Sequence, residues 1–261
     1  MMAPRFPLLA AAICLAVWPV WIWFAGASFD RSNDSASLLA AATALIVVWR
    51  APPVPAVRWP LALPAALLAM YAAATACGVP PASGAIAAFA ALAALASAWR
   101  LGRRLDAALL GLCMLALPLA ASLQFYLGYP MRVLAGTLSV AMLRMSGIGV
   151  VRDGAMLAWG SQLISIDAPC SGVKMLWAGL YLACALALSY RLNMLRTVAA
   201  LALGCCVIVA ANTLRATALF YSESGVARLP EWGHQGTGVV CFVGAACAIY
   251  YGVRQLAGAR P

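Results

Sequence analysis

Charge is the scarcest property of this chain. Acidic and basic residues together fill 9% of 261 positions, against about a quarter in an ordinary soluble domain, while 66% are apolar where roughly half is usual. Those proportions exclude a water-soluble globule and leave an integral membrane protein. Acids are rarer than bases, seven against 17, and histidine occurs once. No C-x-x-C pair and no paired Cys/His spacing occurs among the nine cysteines, which argues against a zinc site or a thioredoxin-like redox motif. Most of these thiols read as small apolar side chains in membrane packing. The net charge of +10 would suit nucleic acid only if the arginines gathered on one solvated face. Here they stand in ones, twos and threes between apolar runs, so nucleic-acid binding is not indicated.

What is abundant is hydrocarbon. A helix crosses a bilayer core of roughly 30 Å with about 20 mostly apolar residues. Such runs are expected near residues 7 to 26, 36 to 49, 59 to 77, 84 to 99, 106 to 125, 172 to 190, 195 to 221 and 236 to 253. The fold expected is therefore an all-α polytopic membrane protein of about eight transmembrane helices, one integral domain over 1–261. Ala25-Gly26-Ala27 has the form of a signal-cleavage site, but the preceding apolar run is longer than a signal core and favours an uncleaved span.

Arginine distribution predicts the orientation. With both termini in the cytoplasm, the inner segments hold ten arginines and the outer ones five, while six of the seven acids fall outside. The longest non-spanning segment, residues 126–169, then forms a small extracytoplasmic cap. Within it, 131 to 146 suits an interfacial helix, and Asp153-Gly154 between alternating apolar residues reads as a hairpin turn.

Three chemically capable residues come to that outer face. In SIDAPCSGVKMLW (165 to 177), Cys170 lies at the outer N-terminus of the sixth span, where unpaired N–H groups and the helix dipole favour a thiolate. Asp167 is a candidate N-cap, Pro169 fits a first helical turn, and Lys174 adds positive charge. In VIVAANTLRATALFY, Arg215 stands near the outer end of the seventh span with Asn212 three residues before it on the same helix face. The single histidine, His234, opens the last span in EWGHQGTGVV. A nucleophilic thiol needs a base, and an oxyanion needs cationic or N–H donors. All three parts are present.

This ordered set resembles the exosortases and archaeosortases, whose signature is similar to A-C-S-G, N-x-x-R and H-x-x-x-G at successive span ends. Here the motifs read P-C-S-G around Cys170, N-T-L-R ending in Arg215 and H-Q-G-T-G from His234. Pro169 stands in place of alanine, and Asp167 in place of a glutamate. The resemblance implies a cysteine peptidase or transpeptidase of the inner membrane that recognises membrane-anchored proteins through a C-terminal sorting signal. Such a signal, of the PEP-CTERM kind, comprises a short motif, one transmembrane helix and a basic tail. It implies Cys170 as nucleophile, His234 as general acid and base and Arg215 as oxyanion partner. Asn212, Asp167, Ser171 and Gly172 would support them, and no metal or organic cofactor is called for. The rival reading is a transporter or scaffold without chemistry, with Arg215 as a charge buried on a pathway.

Overall fold

The computed structural model describes residues 5–30, 36–52, 54, 61–227 and 233–258, with the side chains of Arg5, Pro169, Gly233 and His234 outside that description. Ten α-helices and one small sheet appear among the described residues. They fall into two compact units, Met1–Ala120 with Ala187–Val198, and Ala121–Leu186 with Ala199–Pro261.

The first unit contains α1 (Arg5–Ala16), α2 (Trp18–Ser28), α3 (Ala36–Arg50), α4 (Ala62–Ala76), α5 (Pro81–Ala96) and α6 (Ala107–Leu115). Helices α1 and α2 meet at 75° across Val17. Pro19 sits in the first turn of α2, where its missing N–H leaves no acceptor unserved. Helix α5 is the most enclosed, with Ala85, Ala88, Ala91 and Ala94 fully covered. Its small side chains permit close packing, and a Cβ at Gly84 would lie 3.1 Å from the Tyr71 ring of α4. After α5 the backbone widens into a π-helical turn, Ser97–Leu101, ended by Gly102 at φ 66°. Asp106 then caps α6, its Oδ1 accepting from the amides of Ala108 and Leu109.

The second unit begins with α7 (Ala120–Met145). Residues 131 to 146 are thus not a separate interfacial helix, as the sequence suggested, but the latter half of a helix that runs through Pro130. Ala135, Gly136, Ser139, Val140 and Leu143 give it one buried face, and that packing carries the helix past the proline. Three antiparallel strands follow, β1 (Val151–Asp153), β2 (Met156–Trp159) and β3 (Gln162–Ser165), in the order β1-β2-β3. The expected hairpin is there with its turn one residue later, since Asp153 pairs with Met156 and the loop is Gly154-Ala155. Gly154 (φ 56°) and Gly160 (φ 58°) open the two turns in a conformation that other residues seldom adopt. The sheet's inner side chains Leu157 and Ile164, with Ile166 just beyond β3, pack with Leu143, Leu219 and Phe220, and the Trp159 and Phe220 rings meet edge to face at 6.0 Å.

A 3-10 turn, Ala168–Cys170, leads to α8 (Val173–Ser189), then α9 (Met194–Glu223) and α10 (Gly233–Gly258). Small residues let these three approach. Gly179 of α8 faces Ile208 of α9 and Ile249 of α10, and Gly204 faces Ala183. Helices occupy each of the eight expected apolar runs. By length and composition, three of the described helices can cross a membrane, or five if each bent pair is one crossing. An all-α multi-pass membrane architecture follows.

Candidate functional site

The site grows from a sharp chain reversal between β3 and α8. Asp167, extended at φ −65° and ψ 161°, precedes the 3-10 turn that ends at Cys170. Cys170 N–H donates to the Asp167 carbonyl at 2.9 Å, and Ser171 N–H to that of Ala168 at 3.2 Å. The expected side-chain cap is absent, for the Asp167 carboxylate takes no hydrogen bond from the turn. Nor does Cys170 belong to the first turn of α8, which starts at Val173. Gly172 makes the connection at φ 82°, in the left-handed region.

Asn212 of α9 fixes this reversal. Its Nδ2 donates to the carbonyls of Cys170 and Ser171, both at 3.3 Å, in a position that is 2% exposed. A Cβ on Gly172 would fall 2.6 Å from the Asn212 Cγ, so the glycine serves both the left-handed turn and the asparagine's seat. The resemblance gave Asn212 a supporting role, and its contacts among the described residues are with the backbone around the cysteine. Gln124 of α7 holds the other side of the turn. Its Nε2 donates to the Ala168 carbonyl at 3.3 Å, and the Ser171 hydroxyl donates to its Oε1 at 3.1 Å. Between them, Asn212 and Gln124 bind the backbone or side chains of Ala168, Cys170 and Ser171.

The thiol itself is 6% exposed and borders a cavity of about 20 Å³, room for a water-sized group. Leu157, Ile164, Ile166, Leu219 and Phe220 give that cavity apolar walls, and Asp167 and Glu223 give it two carboxylates. Burial pushes the Cys170 thiol up from its ordinary value; the Arg215 guanidinium opposes this, and the charges of Asp167 and Glu223 reinforce it. The net direction is upward, opposite to the depressed value expected of a helix N-terminus, because the cysteine is enclosed and faces two acids. Lys174 is exposed.

Arg215 lies on α9 one turn above Asn212. Its Nε is buried and has no hydrogen-bond partner among the described residues. A Cβ on Gly238 would lie 3.2 Å from that Nε and 3.3 Å from Cζ, so the guanidinium packs on the backbone of α10 where that backbone is bare. His234 opens α10 four residues before Gly238, hence one turn away on the same helix face. Its side chain lies outside the described residues, as does that of Pro169. Gly172 of P-C-S-G and Gly238 of H-Q-G-T-G thus have the same use, each leaving space for a polar side chain of α9.

The sequence match that decides the family runs over residues 23–251, most of the chain, to the family described as Transmembrane exosortase (Exosortase_EpsH). The chain belongs to the transmembrane exosortases. No curated protein and no solved structure matches it. Family membership gives this multi-pass membrane protein an exosortase-type function directed at protein substrates. Two residues of the candidate site escaped sequence reasoning. Glu223 could have been found by helical spacing, because Asn212, Ala216, Leu219 and Glu223 recur at intervals of three to four and three of them line the cavity. Gln124 carries no local signal, since it reaches the turn from a helix 44 residues earlier in the chain.

Proposed function

We propose that this exosortase is a membrane-embedded cysteine protease or transpeptidase that cleaves C-terminal sorting signals through a thioester on Cys170. The observation that carries the reading is the meeting of three elements. The turn bearing Cys170 is fixed by Asn212 of α9, and Arg215 of the same helix packs on the turn of α10 that follows His234. In the proposed reaction, the Cys170 sulfur attacks the scissile carbonyl as a thiolate, its proton passing to His234. A C–S bond forms, the carbonyl electron pair moves to oxygen, and Arg215 meets the resulting oxyanion. Collapse breaks the C–N bond, and His234 returns the proton to the departing amine, which leaves with the transmembrane helix and basic tail of the signal. Water or an amine then attacks the thioester and restores the thiol.

Arg215 suits this role because its Nε is unpartnered in a buried position, so a new acceptor would not have to displace an existing one. The thiol's upward displacement fits a nucleophile that is protonated at rest and becomes reactive when substrate and base are in place. Asp167 and Glu223 line the cavity beside it, and Ser171, held by Gln124, keeps the turn in shape.

The topology proposed with this function has eight crossings, with α3, α4 and α8 as the shorter ones, both termini in the cytoplasm of a cell with an inner membrane, and the sheet as part of an extracytoplasmic cap. One integral membrane domain over 1–261 would then carry that cap at 126–169. Positive-inside bias supports this orientation. Co-expression with a reporter protein ending in a short motif, an apolar helix and an arginine-rich tail tests the function. Processing by the wild type, its loss in Cys170→Ala and a hydroxylamine-sensitive adduct on Cys170 are expected. Undiminished processing by Cys170→Ala would end the proposal.

A further inference from the structure

The sheet of the second unit has two outer strands, and they are finished differently. In the order β1-β2-β3, β1 and β3 each keep one edge that pairs with no strand among the described residues. An open edge offers a row of N–H and C=O groups to any further strand, and proteins usually blunt it with charge, proline or a bulge. β1 reads Val151-Arg152-Asp153 and carries two charged side chains. β3 reads Gln162-Leu163-Ile164-Ser165 and carries neither charge nor proline.

The hydrogen-bond pattern identifies the groups of β3 that look outward. Just beyond the strand, Ile166 N–H donates to the Ala155 carbonyl at 2.9 Å, on the β2 side. Ladder bonds of an antiparallel pair fall on alternate residues, so Ile164 and Ile166 turn their backbone toward β2, while Leu163 and Ser165 turn theirs to the open edge. Both outward residues are exposed, Leu163 by 66%. The extended run continues through Asp167, at φ −65° and ψ 161°, into the turn that ends at Cys170. Ser165, Ile166 and Asp167 also line the cavity beside the thiol. The open edge is thus continuous with the candidate site.

We propose that this edge binds the segment of the substrate that precedes its transmembrane helix, as a fourth strand beside β3 and parallel to it. The inference takes its substrate from the function proposed above. Its direction follows from the chain itself: β3 runs into a turn and then into apolar α8, and a sorting signal likewise runs from its motif into an apolar helix. Parallel pairing sends the two helices the same way and brings the scissile carbonyl to the cavity. One substrate residue then donates its N–H to the Leu163 carbonyl and accepts at its own carbonyl from Ser165 N–H. A second copy fits less well, since two β3 edges paired about a two-fold axis would cover Ser165, at the rim of the cavity, in both copies.

The probe is a synthetic peptide with the reporter's short motif, apolar helix and arginine-rich tail, N-methylated at one residue at a time before the helix. Its binding to full-length Cys170→Ala in detergent, read by fluorescence polarisation, tests the proposal. N-methylation removes one N–H donor, so alternate positions should lose about tenfold in affinity and the positions between them little. Ser165→Pro in the Cys170→Ala background removes an outward N–H and no bond to β2. It should weaken binding of the unmodified peptide about tenfold, with a melting temperature near that of its parent. Binding without alternation along the peptide, no binding, or unaltered affinity in a folded Ser165→Pro protein would each overturn the proposal, as would a dimer that Ser165→Pro dissociates. Alternating loss with a peptide that the wild type does not cleave would uphold the docked strand and end the reading of Cys170; cleavage without alternation would do the reverse.

Discussion

Arg103 and Arg215 are the same residue in two kinds of surroundings. Arg103, in the first unit, pairs with Asp106 at 2.8 Å and donates to the carbonyls of Leu192 and Arg191. Asp106 in turn caps α6 and donates its own N–H to the Ser97 hydroxyl. That network is occupied throughout and ties the start of α6 to the turn between α8 and α9. In the second unit, among the described residues, Arg215 has a buried Nε with no partner, and Asn212 uses its amide nitrogen while its Oδ1 bonds to nothing. A satisfied buried network stabilises a fold, whereas unspent buried donors are costly and persist where another molecule completes them. The difference separates an arginine spent on the fold from one left free for the proposed chemistry, without reference to sequence motifs.

The largest expected effect is at the proposed nucleophile. Cys170→Ala should lower signal cleavage by on the order of 10⁴- to 10⁶-fold, the scale on which covalent catalysts lose a nucleophile, with no loss of folded protein. Next come the two arginines, which sharpen the contrast directly. Arg215→Gln should cost about 10²- to 10³-fold in turnover while thermal stability stays near wild type, as for loss of one oxyanion donor. Arg103→Gln should do the reverse. It leaves the buried Asp106 carboxylate without its cation, a loss of about 1–3 kcal/mol on unfolding since the arginine is partly exposed, and the protein that remains folded should retain its specific activity. Equal patterns for the two variants would dissolve the comparison. Turnover assays and detergent-resolved melting curves on the same preparations supply both readouts.

A smaller effect concerns the turn. Gly172→Ala adds a Cβ 2.6 Å from Asn212 Cγ in a residue held at φ 82°. The left-handed strain alone costs about 1–2 kcal/mol, and displacement of Asn212 loosens the carbonyls of Cys170 and Ser171. Lowered stability together with lowered turnover is expected. Gln124→Ala removes hydrogen bonds worth about 0.5–1.5 kcal/mol each from the opposite side and should reduce turnover by roughly 2- to 10-fold, with stability little changed.

Much of this was legible before the fold. Composition announced the membrane, motif order pointed to the family that the match shows, and helices occupy the apolar runs, though those at 7 to 26 and 106 to 125 are each divided between two helices. What sequence patterns missed is non-local. The run from 131 to 146 has the mixed character of an interfacial helix, yet tertiary contacts of Gly136 with Ile166 and of Ser139 with the Thr213 carbonyl draw it into the longer α7. Proximity to α8 in sequence suggested a dipole-activated thiol at Cys170. In space, a 3-10 turn intervenes and the packing of β3 and α9 encloses the sulfur. Helix-end arguments fail there because they see the chain and not the wall.

The pH dependence of Cys170 is the finest test of that enclosure. Burial is the largest cause of the thiol's upward displacement, followed by the opposing pull of Arg215 and then the push of Asp167 and of Glu223. Removing a negative neighbour eases ionisation, so Asp167→Asn should move the alkylation profile of Cys170 toward lower pH, and Glu223→Gln should move it the same way by less. Arg215→Gln should move it toward higher pH, by more than either. Alkylation rates read at Cys170 by peptide mass spectrometry distinguish it from the exposed Cys77, Cys206 and Cys247. None of the three substitutions should restore the ordinary thiol value, because none changes the burial that dominates. A profile in Asp167→Asn at or below that of a free thiol would mean that charge, not enclosure, governs the nucleophile.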